Sequence, residues 1–200
     1  MYTNFLFILI GSFAISLSII GYGYFFQKII LKNKLDLNIG YLGLFGIFFL
    51  IIYSYLSNLF IEHSKVHNFV LIFVGFLIFV FNRFNNFRKN SLKFYILNFI
   101  ILFIALLIFK NHDDFSYYHF PYTYLLTQHE LIIGIGNFGH GFRTQSSLFY
   151  LNSLFYLPYF KYYLFNLGSF LIFLFSNIIL LDYLFGKSLT NNIKFNKNFY

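Results

Sequence analysis

Residues 4–26 read NFLFILIGSFAISLSIIGYGYFF, 23 positions without one charged side chain. A helix needs roughly 20 mainly apolar residues to cross about 30 Å of hydrocarbon. Inside lipid the backbone must satisfy its own hydrogen bonds, which a helix does. The reading therefore predicts a transmembrane helix here. Four more runs of this kind follow, at 39–60, 67–83, 92–109 and 164–185. The third has a short apolar centre, Phe69 to Phe81, and is expected to borrow flanking residues, with Arg83 reaching to the interface. In the second, Gly40, Gly43 and Gly46 recur every three residues on one side, a spacing that allows close helix packing, the alternative being glycines that are merely tolerated.

Composition points the same way. Of 200 residues, 59% are hydrophobic and 10% are charged, and mean hydropathy is +0.70. A soluble domain carries roughly 25% charged residues, so lipid must be the main solvent of this chain. With no cysteine, disulfides and thiolate metal sites are excluded. Phe, Tyr, Ile, Asn and Lys are the residues of AT-rich codons, so the 34 Phe and 18 Tyr reflect a low-GC genome before any aromatic binding function. The net charge of +8 is spread between apolar runs, a pattern that excludes the concentrated basic face of a nucleic-acid binder.

The links orient the spans. Lys28, Lys32 and Lys34 stand against Asp36 in the first, and Arg83, Arg88, Lys89 and Lys93 stand unopposed in the third. The tail holds Lys187, Lys194 and Lys197. The second link has only Glu62 and Lys65. The fourth sets Lys110 and Arg143 against Asp113, Asp114 and Glu130. Basic excess on alternate links places the N-terminus outside and the C-terminus inside. The stretch 148–160, interrupted by Pro158, is too short for a comfortable crossing and is expected to be interfacial or re-entrant. A cleavable signal peptide is not expected: the first segment lacks a basic start and a small-residue cleavage site. No internal repeat or soluble domain boundary is visible. The expected fold class is an all-α membrane protein forming one transmembrane domain over 1–200. It has about five transmembrane helices plus one or two interfacial or re-entrant helices in an outward loop.

That loop, 110–147, reads KNHDDFSYYHFPYTYLLTQHELIIGIGNFGHGFRTQSS. It holds three of the six acids, Asp113, Asp114 and Glu130, and four of the six histidines, His112, His119, His129 and His140. Adjacent acids at the end of a span are costly near hydrocarbon unless compensated. A divalent cation, magnesium or manganese, held by Asp113, Asp114 and His119, would compensate them. The alternative is that Asp113 and Asp114 mark the water boundary and help set topology. Residues 116–130 predict an amphipathic surface helix, with Pro121 kinking it or lying in its first turn. The string 134–139 matches G-x-G-x-x-G, but an external membrane loop without a strand–turn–helix unit rules out the dinucleotide reading. The glycine-rich turn presents Asn137, His140 and Arg143, and the arginine fork suits phosphate or carboxylate. Interfacial anchoring is the plainer role for Arg143.

An outward loop that follows a span, opens on an acidic pair and continues into a surface helix resembles the first external loop of GT-C-type membrane glycosyltransferases. It is also similar to a bacterial multi-pass branch of that group in Tyr118-His119, Gly134-Ile135-Gly136-Asn137, Arg143 and Ser146-Ser147. The resemblance covers about forty residues and implies that the chain is the N-terminal part of a longer enzyme of the inner (plasma) membrane. It further implies transfer of a sugar from a lipid-phosphate-linked donor, at the outer face, to a glycan or lipid acceptor. Asp113 or Asp114 would act as general base or metal ligand. Arg143, with His140, would bind the phosphate and stabilise charge on it as it departs. Other readings are a non-catalytic multi-pass subunit or remnant, a transporter or flippase component, and a metal-free polysaccharide polymerase or ligase. The expected spans carry no charge in their apolar cores, which counts against ion-coupled transport.

Overall fold

The computed structural model describes residues 5–32, 37–86, 89–107, 114–143 and 145–185. The described residues are mostly helical, without a strand. Five long helices carry the architecture: α1 (Phe5–Ile29), α2 (Ile39–Asn58), α3 (Lys65–Asn86), α4 (Lys89–Leu107) and, after two short helices, α7 (Leu167–Phe185). Those short helices are α5 (Phe120–Leu125) and α6 (Ser147–Ser153). Stretches corresponding to α1, α2, α3 and α7 are each long and apolar enough to cross a membrane. The fourth expected span forms the 19-residue α4, whose apolar part, Phe94–Ile104, is shorter.

Side-chain pairs give the direction of each helix. Gly46 lies against Ile19 and Gly23 against Leu42, so α1 and α2 are antiparallel. Ser18 Oγ donates to Ile72 O at 2.8 Å, and Gly21 lies against Gly75 and Phe79, so α3 runs parallel to α1. Phe13 meets Phe99 and Phe5 meets Phe103, which makes α4 antiparallel to α1. Tyr95 stacks on Phe175 and Phe99 packs edge-on against Phe170, so α7 opposes α4. The five helices thus alternate, and the segment between α4 and α7 starts and finishes at one end of the bundle.

Small residues set the spacing. Gly46 faces the α1 backbone, whereas Gly40 and Gly43 face Ile179 and Phe175 of α7. The glycine row expected to serve one side therefore serves two neighbours, because α2 is wedged between them. The main core gathers Ile15, Ile19, Leu50, Phe99, Leu171 and Phe175. The outer faces are apolar as well: Phe48, Ile52 and Leu56 form an exposed stripe on α2, as do Val66, Phe69, Val70, Phe73 and Leu77 on α3. A helix that is apolar on both its packed and its outer side is solvated by lipid, not water. The start of α2 is pinned by Asn38, whose Oδ1 caps Tyr41 N at 2.9 Å and whose Nδ2 donates to Asp182 Oδ2 at 3.0 Å near the end of α7.

Candidate functional site

At the end of the bundle that carries the α2–α3 link, residues 114–143 and 145–166 fold into a polar and aromatic cap.

The cap is held by a buried hydrogen-bond network centred on the link. Asn58, the last residue of α2, sends Nδ2 to His129 O at 3.2 Å, and its own carbonyl accepts from Leu131 N at 2.7 Å. His63 N donates to Leu126 O at 3.0 Å. The second and fourth links, which charge assigned to the same side, are therefore joined directly. His63 is fully buried. Ser153 Oγ donates to Tyr150 O at 2.7 Å, so the 2.6 Å contact between Ser153 Oγ and His63 Nδ1 requires Nδ1 to carry the proton. His63 Nε2 then accepts from Ser57 Oγ at 3.0 Å. Asn68 Nδ2 reaches the carbonyls of His63, Ser153 and Tyr156 at 2.8, 2.8 and 3.1 Å. Its Oδ1 accepts from His67 Nδ1 at 3.0 Å, and His67 Nε2 accepts from Tyr53 OH at 2.8 Å. Lys65 lies over the Tyr156 ring, 5.1 Å from its centroid. These bonds satisfy the carbonyls where α6 ends, groups that would otherwise be stranded away from water.

Burial, reinforced by the neighbouring His67, pushes the His63 imidazole down from 6.5 to about 3. The unfolded chain takes up a proton near pH 6.5 and the folded chain does not until about 3, so stability is complete above 6.5 and falls as pH falls between these values. Unfolding measured in micelles from pH 7.5 to 4.5 is expected to lose up to about 1.4 kcal/mol per pH unit through this one group below pH 6.5. The His63→Gln variant is expected to lack that component.

The α6 segment is inside the protein. Residues 149–157 are buried, packed against α2, α5 and α7, so the stretch expected to be interfacial or re-entrant touches helices along its length. Gly168 N donates to Asn152 Oδ1 at 2.9 Å, tying α6 to the start of α7. Ahead of it, Phe115–His119 forms a π-helical turn, with Phe120 N bonded to Phe115 O, and continues into α5 with Pro121 in its first turn. Proline has no N–H to close an α-type bond on Tyr117, which accounts for the wider register upstream. The long surface helix expected over 116–130 is thus two short pieces followed by turns. Tyr122 and Leu126 face inward with Phe149 and Tyr150, while Tyr117 is exposed. Burial raises the phenol pKa of both Tyr122 and Tyr150.

Between these pieces and α7 lies a cavity of about 540 Å³. Phe115, Tyr118, Phe120, Phe149 and Phe165 give it aromatic walls. His119, Thr123, Gln145, Ser146, Asn152, Asn166 and Ser169 give it hydrogen-bonding groups. The lining carries no carboxylate, lysine or arginine among the described residues. A second, more open depression is lined by residues 131–137, Ile132 and Ile133 included, and by Phe142, Arg143 and Gln145. Gln145 is common to both. Arg143 is exposed, and its Nε donates to Gly136 O at 3.2 Å, which fixes the guanidinium against the turn.

The expected site residues are thereby distributed. His119 lines the cavity and packs on Phe149 at 5.0 Å between centroids. Arg143 lines the adjoining depression. His140 is exposed in the turn His140–Arg143, whose Gly141 rests on Tyr118, and it lines neither space. Asp114 opens the π-helical turn, one residue before Phe115 of the cavity wall. Asp113 lies outside the described residues. Among the described residues no three His, Asp or Glu side chains gather as metal ligands. The expected set of Asp113, Asp114 and His119 extends beyond them.

The sequence reading passed over His63, His67, Asn68 and Ser153. The signal was present: Asn152 and Ser153 interrupt the apolar run 148–160, and buried polar groups must find partners. Ser153 Oγ finds Tyr150 O within its own helix, but its second partner, His63, comes from another link. No protein-family model, curated protein or solved structure matches the chain.

Proposed function

We propose that the cap binds the head group of a lipid-phosphate-linked sugar and that the chain is a membrane glycosyltransferase, or the N-terminal part of one, in a bacterial inner membrane. The observation that carries this reading is the pairing of an aromatic-walled cavity, without carboxylate, lysine or arginine among its described residues, with a depression that holds Arg143 and shares Gln145 with it. Aromatic faces with a few neutral donors and acceptors suit a sugar ring, and such concave, mostly apolar sites with convergent polar groups are where small ligands bind. An exposed guanidinium beside them suits the phosphate of the same molecule. The lipid tail would stay in the bilayer beside the apolar helix faces. Asp114 and His119 lie at either end of one π-helical turn, so a magnesium or manganese ion held there with Asp113 fits the donor chemistry. Asp113 or Asp114 is the general base in this reading, and the acceptor is a glycan or lipid hydroxyl.

The test is replacement of Asp113 and Asp114 by Asn, singly and together, with surface glycan measured at matched protein levels. Loss of a general base is expected to lower transfer about 10²- to 10⁴-fold. Full glycan in the double variant contradicts the enzyme.

A second reading has its own observation: Asp114 is not in the cavity wall. A non-catalytic subunit that only holds the lipid-linked head group would tolerate both Asn variants. It would lose glycan when Arg143→Ala and Asn152→Leu remove the phosphate and ring contacts.

A further inference from the structure

Most large side chains of the cap are buried or half-buried, but its glycine-rich loop holds two of the most exposed. Ile133 is 94% exposed and Phe138 is 83% exposed, with Ile132 partly so. The loop is not adrift. Its base is bonded to the end of α2 through Leu131 N and Asn58 O at 2.7 Å. Its start, His129 and Glu130, shares a shallow depression with Phe60 and Ile61. Gly134, at φ 82°, turns the chain just after Ile133 in a conformation that β-branched residues avoid, and Arg143 Nε holds the far side of the turn by its bond to Gly136 O.

Continuity supplies the partner. Phe48, Ile52 and Leu56 form the exposed face of α2, and Leu59 and Phe60 carry it past the helix end. The loop starts where that stripe stops. Apolar surface that protrudes at the level of a span's end, next to a lipid-facing stripe, lies where amphipathic segments insert shallowly among head groups. Phe and Ile bury there, and an adjacent arginine reaches phosphate.

We propose that residues 131–138 form a finger seated in the head-group layer of the same bilayer that the long helices cross, with Ile133 and Phe138 as its inserted side chains. The finger would hold the cap at a fixed height over the membrane. This does not depend on the cap being an enzyme.

The chain has no cysteine, so Ile133→Cys and Phe138→Cys each give a single labelling site at an exposed position, where substitution is tolerated. The full chain is labelled with an environment-sensitive fluorophore and placed in phosphatidylcholine–phosphatidylglycerol vesicles. Quenching by lipids with a nitroxide at a shallow acyl position is compared with quenching by aqueous iodide. A seated finger gives blue-shifted emission and lipid quenching several-fold stronger than iodide quenching at both sites. Iodide quenching that dominates at both sites places the loop in water and overturns the proposal. Shielding from both quenchers means that the finger is covered by protein, a second copy or another chain, and overturns it equally.

Discussion

Asn68→Leu is expected to destabilise the folded chain by about 3–5 kcal/mol, although the two side chains share a branched outline of four heavy atoms. The amide of Asn68 serves the carbonyls of His63, Ser153 and Tyr156 and accepts from His67. The site is fully buried, so leucine leaves these groups without water to replace the lost partner, and each stranded group costs about 1–3 kcal/mol. The carbonyls of Ser153 and Tyr156 belong to the end of α6 and the turn after it, and the loss should loosen that segment first. Hydrogen exchange in micelles would then show faster exchange across 149–157 than across the cores of α1 and α3. A change within about 0.5 kcal/mol, the ordinary range for a surface site, would mean that α6 is held by apolar packing alone.

Gly46→Ala is expected to cost about 3 kcal/mol or more through one added methyl group. A Cβ there would sit 2.8 Å from Ile19 C, closer still to Ile19 O, and 3.1 Å from Gly23 N, all backbone atoms that cannot swing away. The two helices must separate, and overpacking of this kind costs about 1–3 kcal/mol in a well-packed core. The cost should be greater here because α1 packs extensively against both α2 and α3, and displacement from one neighbour disturbs the other. Unfolding measured by denaturant titration in micelles checks this. Gly139→Ala is the internal control: the nearest atom to its Cβ would be Phe142 Cδ2 at 3.6 Å, an ordinary contact.

How far the sequence led differs between the bundle and the cap. Helices form where uncharged runs such as 4–26 demand them, because lipid leaves the backbone no other way to bond. The alternation of basic links anticipated that 59–64 and 110–147 share an end, and Asn58 and His63 are bonded to that loop. What periodicity could not show is which side of α2 each glycine faces, since Gly40 and Gly46 lie on one helix but meet different neighbours. The cap was less legible for a related reason. Its tyrosines read as interfacial because interfaces are rich in tyrosine, yet Tyr122 and Tyr150 are buried against each other by contacts between segments far apart in sequence. His119 and Arg143 stood out by chemistry and fall in adjoining spaces. His63 and Asn68 did not stand out, because a short link with one acid and one lysine gives no hint that its polar side chains turn inward.

The account turns on the cap lying on the opposite side of the membrane from the basic links. Single cysteines at Glu130 in the cap and at Lys32 in the first link, both exposed, can be challenged with a membrane-impermeant maleimide in intact cells and after permeabilisation. The expected result is labelling of Glu130→Cys in intact cells and of Lys32→Cys only once the membrane is opened. The reverse pattern would put the cavity and Arg143 in the cytosol and contradict the account.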